Sequence, residues 1–374
     1  MPDRANNDFP VPWVYTLERG FIYMNLYEII TSWPNLIKAY KKACKGKRSL
    51  WYVADFEIRL EENLLRLQDE LIHRTYRPVR YHSFYIHDPK KRLISAAPFR
   101  DRVVHHALCN VIEPIFERSF IYDSYANRIG KGTHRALNRC QMLARRFKYL
   151  LFCDVRQYFP SVDHEILRSI IARKISDPET LCLIDRILES GKDILKDNYD
   201  MVYFPGDDLF AVNRSRGLPI GNLTSQFWAN VYLNSFDHFV KRQLRCKGYV
   251  RYVDDMVLFD NDIKRLWQWK KAIVDKLTEL RLTIHPETRP KPVEEGITFL
   301  GFVVFPQRKR LKRVKGIRFQ RKFKLMCRQW VKGHIPMSTM TASVMGWVNH
   351  ARYGNTVGLR KAILCKNIKL HGAS

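Results

Sequence analysis

The middle of the chain contains short apolar runs that end in aspartate. Residues 148–153 form one such run, and Asp154 follows it directly. Further along, two apolar runs are separated only by Asp254 and Asp255. Two apolar runs around a pair of aspartates are typical of a tight hairpin, so the pattern predicts two paired strands with these aspartates as their turn. The run before Asp154 predicts a strand in the middle of a sheet.

Elsewhere the apolar residues recur at helical spacing. This 3.6-residue period predicts helices over 51–73, 103–118, 225–245 and 357–369. Residues 186–214 show neither period, and we expect an insertion loop or a hairpin there. With 374 residues, of which 46% are hydrophobic, the chain can bury one large core or two to three subdomains.

The positive charge is concentrated towards the end of the chain. The formal net charge is +28, and residues 296–374 contain 17 Lys and Arg but no Asp or Glu. Phe319, Phe323, Met326 and Trp330 recur at helical spacing among these cations, which predicts a helix with an apolar face packed down and a basic face outward. Such a folded basic face fits nucleic-acid phosphates, with membrane binding or a solvated surface as the alternatives.

The cysteines and the N-terminal region indicate a reducing compartment. The eight cysteines include no Cys-x-x-Cys pair, so we expect reduced packing residues instead of zinc ligands or disulfides. Residues 13–33 are interrupted by Glu18, Arg19 and Glu28, which argues against a signal peptide or a membrane span. We therefore expect a cytoplasmic protein that does not enter a membrane.

The three aspartates at the ends of apolar runs predict metal chemistry. If the hairpin and the strand before Asp154 are neighbours, Asp154 and Asp254 can bridge two divalent cations roughly 3.5–4 Å apart, as two-metal phosphoryl transfer requires. Hard oxygen ligands favour magnesium. An Asp-Asp pair is usually a solvated turn, and we interpret Asp207 and Asp208, behind a Pro-Gly pair, as such a surface loop. The pair at 254–255 differs because it lies between two strand-like runs, where carboxylates are costly without a partner cation.

Several boxes of the chain resemble those of reverse transcriptases, in the family's order. Residues 252–255, Tyr-Val-Asp-Asp, resemble the active-site box of that family. The other similar segments are 89–104, 124–132, the Asp154 run, 217–226 and 299–302. The resemblance covers residues 76 to about 305.

This resemblance implies an α+β right-hand polymerase fold, in which fingers and palm with an antiparallel sheet are followed by a helical thumb. We expect an N-terminal extension over 1–75 that packs on the fingers, reverse transcriptase fingers and palm over 76–305, and a basic helical thumb over 306–374. The thumb cations expected to contact nucleic acid are Arg308, Arg310, Lys312, Arg313, Arg318, Arg321 and Lys322.

The same resemblance assigns roles around the metals. Asp154 and Asp254 would be the main metal ligands, with Asp255 as the third carboxylate and the main-chain carbonyl of Val155 completing the shell of the triphosphate metal. Two Mg²⁺ ions are implied, with Mn²⁺ as a substitute. Lys90 and Arg92 resemble the fingers cations that hold the β- and γ-phosphates, unless they form only a solvated turn.

Other residues resemble those that position nucleotide and primer. Phe159 resembles the aromatic gate at the sugar C2′, with a core phenylalanine as the alternative. Ile220 and Gly221 occupy the positions that contact the incoming nucleotide. The primer grip is expected at Phe299, Leu300, Gly301 and Phe302, although an alternating apolar strand would look the same. No residue matches the family's acid for the leaving pyrophosphate, since 287–291 lack the usual Lys-Thr order.

Residues 220–226 resemble the variant found in diversity-generating retroelements. Group II intron and retroviral enzymes usually have Gln at the position of Ile220 and Pro at that of Gln226. The variant implies a bacterial or phage enzyme that copies a template-repeat RNA into cDNA with errors at adenines. Its substrates would be dNTPs, and its partner would be a small basic oligomeric accessory protein. The same resemblance makes Ile220 a fidelity residue. The alternatives are a group II intron-like, retron or phage-defence reverse transcriptase, and an inactive polymerase fold that serves as an RNA-binding scaffold.

Overall fold

The structure is a computed structural model, and it describes residues 25–87 and 91–369. Its first part is helical, and Leu36 and Ala39 bury the face of the second helix that packs against the long helix of the fingers. The helical stripe predicted over 51–73 is divided in two, because Arg59 leaves the helical region at φ −121° and ψ 48°. The four helices are α1 (Leu26–Thr31), α2 (Trp33–Cys44), α3 (Trp51–Ile58) and α4 (Leu60–Ile72).

A two-stranded hairpin and two helices follow. The strands pair antiparallel, with Ser83 opposite Ser95, and residues 88–90 at their turn are outside the described residues. The predicted helix over 103–118 exists and begins a few residues earlier. These elements are β1 (His82–Ile86), β2 (Arg92–Ala96), α5 (Phe99–Glu117) and α6 (Thr133–Arg146).

The central sheet has four antiparallel strands in the order β4-β5-β3-β6. Of its interior strands, β5 is buried except at its first residue and β3 is buried at half of its residues and partly buried at the rest, as apolar runs in the middle of a sheet predict. The strands are β3 (Tyr149–Asp154), β4 (Gly248–Tyr252), β5 (Asp255–Asp260) and β6 (Pro290–Pro292). The helices that accompany this sheet are α7 (Tyr158–Ser161), α8 (His164–Ala172), α9 (Pro178–Ser190), α10 (Leu223–Tyr232), α11 (Asn234–His238) and α12 (Ile263–Glu279).

One local prediction needs correction here, and one of the two alternatives for 186–214 is excluded. The helix predicted over 225–245 is interrupted at Leu233 and ends in a π-helical turn, Phe239–Gln243. Within 186–214 the structure shows the end of α9 and two short 3₁₀ turns, Lys196–Asn198 and Leu209–Asn213, with no hairpin.

The last part of the chain is a small sheet followed by three helices. The sheet has the order β7-β8-β9, with strands β7 (Ile297–Phe299), β8 (Phe302–Val304) and β9 (Lys309–Leu311). The helices are α13 (Arg313–Val331), α14 (Met337–Ala351) and α15 (Val357–Lys369). Because β9 pairs with β8, the sheet extends past the expected boundary at 305, and the helices begin only at Arg313.

The apolar face of α13 packs as its spacing predicts. Phe319, Phe323 and Met326 are buried in a small separate core, and Trp347 of α14 stacks on Phe319 with ring centroids 4.1 Å apart. Trp330, assigned to the same face, is 40% exposed. Across the described residues, no helix combines the length and apolar character needed to cross a membrane.

We expect Phe323→Ala to destabilise the three C-terminal helices by about 3–5 kcal/mol, because it leaves a cavity in a core with few other large side chains. Phe323 is 2% exposed. Urea unfolding followed by circular dichroism measures the loss. Leu325→Ala on the same helix is the matched control, since Leu325 is 54% exposed and its truncation should change little. Equal losses in the two variants would contradict this packing.

Candidate active site

The pairing of β3 with β5 brings the predicted aspartates together. In its register Asp154 lies opposite Asp255, and the backbone N–H of Val155 donates to the carbonyl oxygen of Asp254 over 3.4 Å. All three aspartates are half-buried at the same end of the sheet. The strand before Asp154 and the hairpin are therefore neighbours in the sheet, as expected.

The turn of this hairpin differs from the prediction by one residue. Tyr252 pairs with Asp255, so the two turn residues are Val253 and Asp254, and Asp255 is the first residue of β5. Val253 has φ +57°, which is rare for a β-branched residue. The two aspartates therefore differ in position: Asp254 lies at the tip of the hairpin, and Asp255 is paired within the β4–β5 ladder.

The electrostatics of the site depend on burial and on the proximity of like charges. Burial raises the pKa of Asp254 to about 6, and the charge of Asp154 acts in the same direction. The positive charges of Arg92 and Arg251 oppose this shift but do not cancel it. Because the charge of Asp154 disfavours the ionised form of Asp254, a divalent cation placed between these two carboxylates would offset their repulsion.

The candidate metal ligands do not form a closed cluster among the described residues. Within the described ranges, no group of three or more His, Cys, Asp and Glu residues is gathered closely enough to hold a metal ion by itself. Val155 is 2% exposed and forms a bridge with Ile284. The donor set therefore fits ions that bind through Asp154 and Asp254 and complete their coordination with other oxygens, which is how magnesium is usually held.

The structure adds one residue that the sequence reasoning did not identify. The backbone N–H of His285 donates to the carbonyl oxygen of Asp154 over 3.2 Å, and its Nε2 lies 3.8 Å from the Asp154 carboxylate. His285 lies just before 287–291, the segment in which the family's acid was expected. Nothing in the local sequence pattern connects His285 with a strand more than a hundred residues earlier.

The fingers hairpin contributes Arg92. This exposed residue begins β2, and its charge partly offsets the rise in the pKa of Asp254. Lys90 is outside the described residues.

The loop with Ile220 and Gly221 is fixed to the fingers. The carbonyl oxygen of Ile220 accepts from the N–H of Ser95 over 2.8 Å, and Asn222 bonds to the backbone of Ser95 and Ala97. Gly221 has φ +119°, and a Cβ there would lie 3.1 Å from the side chain of Ile94. A glycine is therefore needed for both its conformation and its close approach.

Phe159 lies at the other side of this loop. It belongs to α7, is half-buried against the main core, and its carbonyl oxygen accepts from the N–H of Leu218 over 2.8 Å. Both interpretations of Phe159 remain compatible with this position.

The expected primer grip is a hairpin and not a continuous strand. Phe299 ends β7 and Phe302 begins β8, and both are buried. Leu300 and Gly301 form the turn, with φ +49° and +86°. A cleft of about 360 Å³ is lined by this turn together with Phe152, Asp154, Asp255, Lys291, Ile297 and Thr298. The structure thus places the turn beside the aspartates.

The predicted thumb cations lie on the surface. All seven are exposed, on or near β9 and on α13: Arg308, Arg310, Lys312, Arg313, Arg318, Arg321 and Lys322. They do not contribute to the aspartate cleft.

The second Asp-Asp pair is only partly the surface loop that was predicted. Asp208 is exposed, but the side chain of Asp207 is 5% exposed and forms ion pairs with Arg214 at 2.7 Å and Arg281 at 3.6 Å. Arg281 also pairs with the buried Asp163 at 2.7 Å. This network fixes the 204–216 segment to the palm.

Several known proteins and solved structures are similar to this chain. Protein YkfC of Escherichia coli (strain K12) is 28% identical over 58% of this chain and 57% of that protein. The group II intron-encoded protein LtrA of Lactococcus lactis subsp. cremoris is 26% identical over 55% of this chain and 33% of that protein. The chain thus matches between a third and just over half of these relatives' lengths. A structure of apo telomerase from Candida tropicalis is 10% identical with a TM-score of 0.46, over 62% of this chain and 48% of that one.

The family model described as reverse transcriptase (RNA-dependent DNA polymerase) matches residues 86–304, which is more than half of the chain. Its match includes β2, the aspartate cleft, the Ile220 loop and the hairpin of β7 and β8. The described elements form the α+β arrangement expected for a right-hand polymerase fold. The chain belongs to the reverse transcriptase family.

Proposed function

We propose that this protein is an RNA-directed DNA polymerase that joins deoxynucleotides to a primer on an RNA template. The observation that carries this proposal is the register of β3 and β5, which sets Asp154 against Asp255 with Asp254 at the adjoining turn. The family match over 86–304 supports it independently.

The proposed metals are two Mg²⁺ ions, for which Mn²⁺ can substitute. Bound there, they would supply activation of the primer 3′-oxygen and neutralisation of the triphosphate. Asp154 and Asp254 hold them, Asp255 is the third carboxylate, and the carbonyl of Val155 is a further ligand. The raised pKa of Asp254 supports this assignment, because such a buried pair gains most from a cation.

Other side chains bind and orient the substrates in this proposal. Lys90 and Arg92 hold the β- and γ-phosphates, and the Arg fork suits phosphate oxygens. Phe159 packs against the sugar of the incoming nucleotide beside Ile220 and Gly221. The turn at Leu300 and Gly301, flanked by Phe299 and Phe302, positions the primer end in the cleft that it shares with Asp154 and Asp255.

The nucleic acid is bound by two basic surfaces in the proposed complex. The exposed cations of β9 and α13 grip the phosphates of the RNA/DNA duplex, so binding should weaken as salt rises. At the fingers, a cavity of about 830 Å³ is lined by Arg59 and Arg66 of the α3–α4 region and by Trp51, which is 80% exposed. Arginines beside an exposed aromatic ring suit single-stranded template RNA.

A scaffold without turnover fits the site less well. Three half-buried carboxylates at one end of a sheet cost folding free energy, and an RNA-binding scaffold gains nothing from that cost. Metal-dependent catalysis, in contrast, requires these carboxylates.

For the finer assignment we propose a diversity-generating retroelement enzyme, cytoplasmic and of bacterial or phage origin. It would copy a template-repeat RNA with errors at adenines and work with a small basic accessory protein. The support is the sequence of residues 220–226, with Ile220 where relatives present an amide. A group II intron-like enzyme is the second candidate, favoured by the 26% identity to LtrA of Lactococcus lactis over 212 residues.

Asp254→Asn should lower primer extension on an RNA template by about 1,000-fold or more, since a lost metal ligand is worth several kcal/mol at the transition state. Duplex binding should stay nearly unchanged, because no phosphate contact is removed. Single-nucleotide extension and fluorescence anisotropy measure the two effects. Asp208→Asn, in an exposed turn, is the matched control and should retain full activity. Substantial extension by Asp254→Asn in magnesium would refute the site.

The same substitution should stabilise the metal-free protein. The pKa of Asp254 in the folded chain is about 6, above its ordinary 3.8, so the ionised group opposes folding fully above pH 6 and progressively less towards pH 4. In EDTA at pH 7.5 we expect Asp254→Asn to raise the free energy of unfolding by about 1–3 kcal/mol. Denaturant unfolding across this pH range measures the gain. A gain that grows towards pH 4 would contradict the charge repulsion.

Ile220→Gln should lower misincorporation opposite template adenine more than opposite the other bases. An amide can make hydrogen bonds that depend on the correct placement of the nucleotide, and one such bond is worth on the order of 1 kcal/mol, which is several-fold in discrimination. Sequencing of cDNA from one template measures the error rates. Ile220→Val keeps a β-branched alkyl group and is the control. An unchanged adenine error rate in Ile220→Gln would show that Ile220 is a packing residue.

A further inference from the structure

A fully buried ion pair lies behind the catalytic turn. Arg251 of β4 and Asp237 of α11 have side chains with 0% exposure. The guanidinium makes two parallel bonds to the carboxylate, 2.8 Å from Nε to Oδ1 and 2.7 Å from Nη2 to Oδ2. Removing both charges from water is costly, and an apolar pair of similar volume would often stabilise a core equally well. Stability alone therefore does not explain why this ion pair is buried here.

The third nitrogen of Arg251 reaches the turn itself. Its Nη1 donates to the carbonyl oxygen of Val253 over 2.9 Å and to Oδ1 of Asn230 over 3.2 Å. The planar fork of arginine makes these contacts while Asp237 holds its other edge. The backbone of Arg251 is held as well, since its N–H donates to the carbonyl of Asp123 over 2.9 Å and its carbonyl accepts from Tyr125 over 3.0 Å.

The carbonyl that Arg251 contacts belongs to a strained residue. Val253 has φ +57°, a conformation that β-branched residues rarely adopt. Its carbonyl is part of the peptide plane shared with Asp254. A hydrogen bond that fixes this plane also fixes the direction in which the Asp254 side chain leaves the backbone.

We propose that Arg251, clamped by Asp237, is a positioning residue that holds the Val253–Asp254 peptide plane and so aims the Asp254 carboxylate at the metal site. The proposal rests on the proposed polymerase function. Arg251 is buried and acts through Asp254 only, so it is not itself a catalytic residue.

A purely structural role predicts different behaviour, and the chain offers a control that separates the two. Tyr249 donates its hydroxyl to the same Asp237 over 2.8 Å, is equally buried, and belongs to the same strand, but its side chain bonds to the pair and not to Val253. Tyr249→Phe therefore weakens the buried network without releasing the turn. Arg251→Lys keeps the charge but cannot serve Asp237 and Val253 together.

The experiment compares Arg251→Lys, Tyr249→Phe, Val253→Gly and the double variant Arg251→Lys with Val253→Gly in the full chain. Thermal unfolding reports stability, and anisotropy reports primer–template binding. Single-turnover extension reports catalysis. Electron paramagnetic resonance of free Mn²⁺, with a dideoxy-terminated primer, reports metal binding without turnover.

We expect Arg251→Lys to bind the duplex normally, to extend about 10–100-fold more slowly, as a misplaced reacting group does, and to bind Mn²⁺ several-fold more weakly. Tyr249→Phe should lose stability but keep its extension rate and Mn²⁺ affinity. Val253→Gly should restore much of the rate lost in Arg251→Lys, because glycine adopts positive φ without steric cost.

Three outcomes would overturn the proposal. Folded Arg251→Lys could keep its extension rate and Mn²⁺ affinity, or the extension rate of Tyr249→Phe could fall together with its stability. The third is that Val253→Gly fails to restore the extension rate in the double variant. If Arg251→Lys does not fold, Asp237→Asn replaces it with the same expectations. Absence of extension by the unmodified chain would refute the proposed function alone, since the Mn²⁺ comparison tests the positioning without turnover.

Discussion

The antiparallel ladder between β3 and β5 is the constraint on which the site depends. Its six residue pairs run from Tyr149 opposite Asp260 to Asp154 opposite Asp255. Side chains alternate between the faces of a strand, and the two faces of this sheet pack into different hydrophobic cores. A slip by one residue would therefore separate the two aspartates and exchange the residues that fill the two cores. The hydrophobic core therefore fixes the register, and the register fixes the carboxylates.

This arrangement is unfavourable for the metal-free protein and useful for a polymerase. Desolvation and the neighbouring charge of Asp154 raise the pKa of Asp254, while Arg92 and Arg251 compensate only in part. The same repulsion that destabilises the metal-free fold makes the binding of a cation between these carboxylates more favourable. The stability of the metal-free protein and the proposed activity therefore oppose each other at this site.

Two hairpin turns meet at the same end of the molecule, and both are strained. Val253 and Leu300 adopt positive φ without being glycines. Leu300 lines the cleft that contains Asp154, and Val253 precedes the aspartate at the tip of the other hairpin. Strain of this kind persists only where the surroundings hold it. For Val253 that restraint is the Arg251 fork, and for the second hairpin it is the burial of Phe299 and the strand that follows.

Local sequence determined the three strands around the aspartates, several of the helices and the family boxes, because periodicity and the placement of aspartates at the ends of apolar runs are properties of neighbouring residues. Sequence reasoning placed the turn of the β4–β5 hairpin one residue late, since an Asp-Asp pair does not show which residue takes the positive φ. Only the tertiary structure joined Arg251 with Asp237, His285 with Asp154, and Asp207 with Arg281. These contacts join separate elements of the fold, and packing, not any local pattern, decides which of them meet.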